Sequence, residues 1–326
     1  MITQEDVARE CGLSVTTVSR VMNKRGYISE ETYRKVYDAM RRLNYSPNEI
    51  ARSLSKNFTD TVGVILPHVD HPFFSRLLHY LEIAAGENGL KLMLFCTHKN
   101  AGGEEACIEK CRAARMDGII LCIDSDQPLA FSNLNIPLIT VEGSSVCHTA
   151  SISCDNLEGG RLAARILAED GCRSVVYIGG SNENAMPADS RYKGFEEVCA
   201  GKHILCREVK TGREEYDSLE YREDIKRLLD RYPDIDGIFA SSDVIAAQVL
   251  QVLAEKNIPV PGKVRLIGFD DTMVSALTVP RITTISQPIR QMAEKAMDLL
   301  IRARRGDKIK QKDITLPVSL VRRDTA

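Results

Sequence analysis

The stretch VARECGLSVTTVSRVMN, residues 7–23, holds two short helical patterns divided by a glycine. Upstream of it, Thr3 is placed to cap a helix whose first turn carries Glu5 and Asp6, acids that favour the positive end of a helix. Val7, Ala8 and Cys11 then share one apolar face. Gly12 tolerates the left-handed turn that ends a helix. Ser14 caps a second helix over 15–23, with Val18, Val21 and Met22 on its packing side. Val15, Thr16, Thr17, Ser19, Arg20 and Asn23 lie toward the other side. A helix that enters the major groove needs short side chains at its N-terminal end, hydroxyls for phosphates and an arginine that reaches a guanine edge. A third helix follows Ser29, with Val36, Met40 and Leu43 as its stripe. The layout is that of a helix-turn-helix.

The ordinary alternative is three amphipathic helices with no nucleic acid to read. Charge leans against it. Residues 1–57 hold 10 Lys and Arg against 7 Asp and Glu, whereas the remainder holds 33 against 38. A weakly basic head on an acidic body fits phosphate binding by the head alone, a feature hidden by the net charge of −2 for the chain.

Downstream, short apolar runs alternate with helical patterns. Strands are expected at 61–67, 91–96, 117–123 and 137–141, and again at 174–180, 236–241 and 264–270. Helices are expected between them at 73–87, 104–115, 157–169, 191–200, 219–230 and 244–256. This alternation predicts parallel sheets covered on both faces, in two similar halves. A chain of 326 residues has room for about two or three domains.

Several function classes find no support. No run of about 18 apolar residues predicts a membrane span, and the N-terminus MITQEDVARE lacks the pattern of a secretory signal. The 10 cysteines are scattered with no C-x-x-C pair; Cys107 and Cys111 lie four apart, and no histidine completes a zinc pattern. They read as small core residues of a reducing cytoplasm, with no metal and no cofactor implied. An enzyme of this architecture would need a phosphate loop or a catalytic constellation, and no G-x-G-x-x-G after a strand, no P-loop and no nucleophile elbow is present. Gly159 and Gly160 read as a helix start or tight packing.

The runs LSVTTVSRVMN and LNYSPNEIARSL, with IGFDD at 267–271 and ITTISQP at 282–288, resemble the lactose repressor (LacI/GalR) family over essentially the whole chain. RGYIS at 25–29 and the VSLVRRDT ending look closer to the family's sucrose-operon repressors than to its purine repressor. The resemblance implies an α/β protein: an all-α helix-turn-helix head over 1–46, a hinge over 47–59, and a core over 60–326 built as two doubly wound parallel-sheet lobes of the periplasmic-binding-protein type. One lobe would comprise about 60–156 and 288–316, the other about 157–287 and 317–326, with crossings near Asp155, Gln287 and Pro317. It implies a cytoplasmic homodimer on a pseudo-palindromic operator in double-stranded DNA. Tyr45, Asn48, Ala51 and Leu54 would join the DNA contacts, Leu54 as an apolar wedge in the minor groove. The segment 48–54 is too short to be a stable helix alone and would order on DNA.

The resemblance also locates a ligand. Arg191 matches the family's effector-binding arginine, and Asp270 an acid that bonds ligand hydroxyls. Phe73 and Phe74 offer aromatic faces after the first strand, with one of the two expected in the core. Ser242 and Gln287 sit at a strand end and a lobe crossing. An arginine and carboxylates around an aromatic shelf suit a polyhydroxyl ligand. Ala185 and Pro187 stand where a purine reader would carry polar groups, which leaves a sugar or sugar phosphate ahead. Asp243 is expected to be the N-cap of the helix at 244–256, His71 an exposed loop residue, and Asp271 a strand terminator. Tyr216 is slightly displaced from the position of the family's further ring. No heptad tail follows Ala326, so a dimer is expected, with its interface on helices over 74–85 and 292–303, the latter through Met292, Ala296, Leu299 and Leu300. Two other readings stay open: a global regulator using a phosphorylated carrier protein, and a purine-responsive repressor.

Overall fold

The computed structural model describes residues 2–23, 26–46, 58–97, 103–122, 134–143, 149–180 and 187–326. They divide into two compact units, Met1–Thr59 and Asp60–Ala326.

The first unit contains three helices, α1 (Gln4–Cys11), α2 (Val15–Met22) and α3 (Glu30–Arg42). Each begins on a side chain that satisfies an otherwise orphaned backbone amide. Thr3 and Asp6 do so reciprocally: Thr3 Oγ1 accepts from the Asp6 amide at 3.3 Å and the Asp6 carboxylate accepts from the Thr3 amide at 2.9 Å. Ser14 and Ser29 cap α2 and α3, accepting from the amides of Thr17 and Thr32. Gly12 ends α1 at φ +68°, where a side chain would be strained. Val7, Ala8, Val18, Val21, Val36 and Ala39 form a sealed core, ringed by half-buried Met22, Met40, Leu43 and Tyr45. Helix α2 ends one residue earlier than its pattern suggests, because Asn23 caps it by donating Nδ2 to the Ser19 carbonyl at 2.8 Å.

The second unit runs β1 (Thr61–Leu66), α4 (Pro72–Glu87), β2 (Lys91–Cys96), α5 (Gly103–Ala113), β3 (Gly118–Cys122), β4 (Leu138–Val141), β5 (Ala150–Cys154) and α6 (Asn156–Glu169). It continues with β6 (Ser174–Gly180), α7 (Ser190–Gly201), β7 (Leu205–Thr211), α8 (Arg213–Ser218), α9 (Arg222–Arg231), β8 (Gly237–Ala240) and α10 (Asp243–Glu255). It ends with β9 (Arg265–Asp270), α11 (Met273–Leu277), β10 (Thr283–Ser286), α12 (Ile289–Arg304), β11 (Asp313–Leu316) and β12 (Ser319–Val321). The strands make two six-stranded sheets, ordered β11-β5-β4-β3-β1-β2 and β12-β10-β9-β8-β6-β7. The first is parallel throughout; in the second only β12 runs antiparallel, against β10. The chain passes between sheets three times: after β5, between β10 and α12, and between β11 and β12. The α/β class with a helical head and two doubly wound lobes is the one expected from the sequence.

Five strands lie outside the sequence expectations, each for a physical reason. β5 is built from small residues that alternate between buried and half-buried. β7 is a charged edge strand. β10 buries Thr283 and Thr284, whose hydroxyls donate to the Ala326 carbonyl at 2.9 Å and to Asp243 Oδ1 at 2.6 Å. β11 and β12 are short edges formed where the chain changes sheet. One expectation is overturned. Met292, Ala296, Leu299 and Leu300 of α12 are at most 2 % exposed and belong to the core of the first lobe, so they offer no interface. The most exposed large apolar side chains of this unit's described residues are instead Met273 (69 % exposed), Leu277 (71 %) and Val279 (96 %) in the second lobe.

Candidate functional site

The carboxyl ends of both sheets face one cleft of about 170 Å³, where open α/β sheets place ligands. His71, Phe73, Phe74, Cys122, Val141 and Glu142 line it from the first lobe. Tyr177, Asp189, Arg191, Tyr216, Tyr221, Ser242, Asp270 and Gln287 line it from the second. The six residues read from the sequence as ligand contacts therefore share one wall system. Phe73 is also core, 5 % exposed, and Phe74 is half-buried with its ring centroid 5.1 Å from that of Phe73.

Arg191 is set by helix packing. Gly160 of α6 lies so close to α7 that a Cβ there would stand 1.9 Å from the Arg191 carbonyl oxygen, and Gly194 makes the reciprocal approach to Leu157. The Gly159–Gly160 pair is thus an interior contact of α6 and not a helix start. With its backbone fixed, Arg191 donates from Nε to Asn156 Oδ1 at 2.8 Å and from Nη1 to the Ser241 carbonyl at 2.7 Å. Its guanidinium lies 3.6 Å from the Phe269 ring centroid, a stacking that holds the plane. Asn156 in turn donates Nδ2 to Glu142 Oε2 at 2.9 Å, so its amide orientation is fixed by an acceptor on one side and a donor on the other.

Asp270 ends β9 at φ +107° and Asp271 follows at φ +56°, two consecutive non-glycine residues in a region that costs backbone energy. Asp270 accepts from Gln287 Nε2 at 2.7 Å. The other amide atom, Gln287 Oε1, is buried and accepts no hydrogen bond among the described residues. A buried acceptor beside a buried carboxyl is a cost unless a ligand donor meets it. Burial pushes the Asp270 carboxyl well above the usual range, with Arg191 pulling it down and Asp243 adding to the rise.

Three residues stand differently from their sequence reading. Asp243 is the first residue of α10 and not its cap; Ser242 caps the helix, accepting from the Ile245 amide at 3.3 Å. Asp243 is fully buried and accepts from the Thr272 amide at 2.7 Å, from the Thr272 hydroxyl at 3.0 Å and from Thr284, which together pin the turn behind Asp270. Burial lifts its carboxyl to about 6 despite those bonds. His71 is buried and caps α4, its Nδ1 accepting from the Phe73 amide at 3.3 Å. Burial lowers it to about 4, with the neighbouring His68 and Arg191 charges acting in the same direction. The Asp271 carboxylate accepts from Arg323 at 2.6 Å and from Ser286 at 3.0 Å. Glu142 and Asn156 escaped the sequence reading, although Glu142 directly follows β4 and Asn156 comes two residues after β5, and a strand end is the signal that marks this cleft. His71 precedes a proline at the first helical position, itself a helix-start signature.

On the head, Val15 is 40 % exposed and Ser14, Thr16 and Arg20 are exposed, while Thr17 and Ser19 are half-buried. The N-terminal end of α2 thus presents small and hydroxyl side chains. The Thr17 hydroxyl also bonds Ser14 Oγ at 2.8 Å, and Asn23 turns its amide back onto the helix. Tyr45 packs on the head core. Asn48, Ala51, Leu54 and Ala185 lie outside the described residues.

A head that presents such a helix, on a chain whose second unit is a two-lobed binding cleft, defines a ligand-responsive DNA-binding regulator. Residues 3–48 match the model of bacterial regulatory proteins of the lacI family, and residues 164–326 match a periplasmic binding protein-like domain. The chain is 35 % identical to the sucrose operon repressor of Streptococcus mutans, over 97 % of each chain. It is 32 % identical to the ribose operon repressor of Halalkalibacterium halodurans, over 100 % of this chain and 97 % of that one. The structure of the lac repressor dimer bound to operator and the anti-inducer ONPF superposes with a TM-score of 0.85 at 25 % identity, covering 99 % of this chain and 98 % of that one. The chain belongs to the lacI family of bacterial regulatory proteins. It is a DNA-binding transcriptional regulator with an effector-binding body, and no helix among the described residues is long and apolar enough to cross a membrane.

Proposed function

We propose that this regulator represses a carbohydrate-utilisation operon and that a sugar held in the cleft sets its affinity for the operator. The observation that carries the sugar is the pairing of Asp270 with Gln287, whose buried Oε1 accepts no hydrogen bond among the described residues, in a cleft walled by aromatic rings. A hydroxyl donates to that oxygen and accepts from Arg191, and the apolar face of the sugar rests on Phe74. Asp270, Ser242 and Glu142 supply further bonds. Names of relatives agree: the two quoted above repress sucrose and ribose operons. The protein acts by binding in the cytoplasm and carries out no reaction.

At the operator, Ser14, Val15, Thr16, Thr17, Ser19 and Arg20 read one half-site, with Asn23 and Tyr45 behind them and Asn48, Ala51 and Leu54 in the hinge. Two copies serve a pseudo-palindrome. The exposed apolar side chains of Met273, Leu277 and Val279 form the second-lobe part of that dimer contact. Exchange of Val15 and Thr16 for another member's pair changes operator choice and leaves ligand affinity alone; an unchanged operator preference removes the two from the reading role.

A thermal-shift panel of sucrose, fructose, ribose, their phosphates and purines tests the ligand. A sugar at 100 times its Kd stabilises the fold by about 2.7 kcal/mol. A shift with a purine and none with any sugar overturns the proposal.

A further inference from the structure

The turn that presents Asp270 is held on almost every side from within its own lobe. The Asp271 carboxylate is taken by Arg323 and Ser286, and the amide and hydroxyl of Thr272 by Asp243. The carbonyl of Asp271 is held from the other lobe. Arg76 of α4 donates to it from Nη1 at 2.5 Å, across 195 residues of sequence. A second contact spans the same gap: the His68 ring, between β1 and α4, meets the Tyr216 ring of α8 edge-on at 5.0 Å between centroids. Both contacts bridge the two lobes.

We propose that Arg76 is a positioning residue for effector binding: it grips the Asp271 carbonyl and so holds the first-lobe rings within reach of the ligand that Asp270 binds. The proposal rests on the cleft being the effector site. Asp270 and Asp271 are consecutive residues at positive φ, and a turn already clamped from one lobe moves as a unit with it. A cation on its one outward carbonyl ties that unit to α4, and the charge makes the bond stronger than a neutral one. Arg76 itself is exposed and lies outside the set of groups that line the cleft, so removing it leaves the ligand contacts intact.

The test uses the full-length protein without ligand, so that it does not depend on which sugar binds. Hydrogen–deuterium exchange is followed at 213–218, a segment across the cleft that the first lobe covers through the ring of His68. In Arg76→Ala, exchange at 213–218 rises by about threefold to tenfold, as expected when one screened, charge-assisted bond is removed from the closed state. The cores of both sheets and the thermal midpoint stay as in the wild type. Arg76→Lys restores most of the protection, because lysine still donates. Arg76→Met, which keeps the apolar stem and loses the donor, settles the matter if the alanine variant folds poorly. Wild-type exchange at 213–218 in both Ala and Met variants overturns the proposal. Sucrose binding is measured separately: a wild type that binds no sucrose counts against the effector reading and leaves the exchange result standing as a tie between the lobes through Arg76.

Discussion

The two lobes share one topology, six strands in corresponding order, yet they divide the chemistry of the cleft unequally. The second lobe contributes Arg191, Asp270, Ser242 and Gln287, all with a fixed hydrogen bond of their own. The first contributes two phenylalanines, a neutral histidine and Glu142. The second lobe is preorganised for polar recognition, and the first sets its two phenylalanine rings and a single carboxylate opposite it. The difference teaches that equal folds need not do equal work: the polar groups sit on the lobe whose helix packing is tight enough to fix them. That comparison is broken most sharply at Arg191. Arg191→Ala removes a buried, stacked cation, and the loss of effector affinity should be about 4 kcal/mol, roughly a thousandfold. Effector-free operator binding should stay at the wild-type level. Titration of operator affinity against sugar in both proteins decides; a variant that responds normally removes Arg191 from the site.

The tight packing can be tested on its own. A methyl group at Gly160 meets backbone on α7, which cannot rotate aside as a side chain could. Gly160→Ala should cost about 3 kcal/mol in urea unfolding and should also weaken the effector, because α7 carries Arg191 on its second residue. Gly86 of α4, in the first lobe, has open space around the same added atom, so Gly86→Ala should cost nothing and gain a few tenths of a kcal/mol from helix propensity. Equal effects at the two glycines contradict the asymmetry.

How much of this was legible beforehand follows from the same physics. Strands sealed on both faces, such as β1, β3 and β9, are continuous apolar runs and stand out in the sequence. Threonine-rich β10 is as buried as they are, but its hydroxyls are satisfied by Asp243 and the chain end, partners 41 and 43 residues away that no local pattern reveals. The site divides in the same way. Arg191 and Asp270 carry their motif with them. Glu142 and Asn156 acquire a role only when the end of β4 and the start of α6 meet across the first crossing. Asp243 was legible as a residue near a helix start, though not as the clamp of a turn 29 residues further along.

The lobes should also respond oppositely to acid. An unfolded histidine takes its proton near 6.5, but folded His71 holds off until about 4, since burial penalises the charge and protonation would end its acceptance from the Phe73 amide. Between these values the unfolded state binds the extra proton, so stability falls as pH falls, by up to about 3 kcal/mol in all. Asp243 in the second lobe runs the other way. Its folded carboxyl protonates at about 6 and its unfolded one at 3.8, so the folded state binds the proton first and gains stability as pH falls through that window. His71→Gln should therefore flatten the acid limb of stability and Asp243→Asn should steepen it. Urea midpoints at neutral pH and near pH 4 read both; the same slope in His71→Gln as in the wild type means that His71 is not held neutral.

The smallest effect separates two roles in one residue. His71 and Ser242 are counterparts, each capping the helix that begins at its own side of the cleft. A cap is a backbone service, and it is nearly indifferent to the side chain when glycine replaces it. Ser242→Ala should cost about 1 kcal/mol of stability and Ser242→Gly a few tenths. Both substitutions remove the hydroxyl from the cleft wall equally. If Ser242 also bonds the sugar, the two variants lose effector affinity to the same extent while their stabilities differ. If it only caps, affinity stays at the wild-type level in Ser242→Gly, and the polar chemistry of the second lobe narrows to Arg191, Asp270 and Gln287.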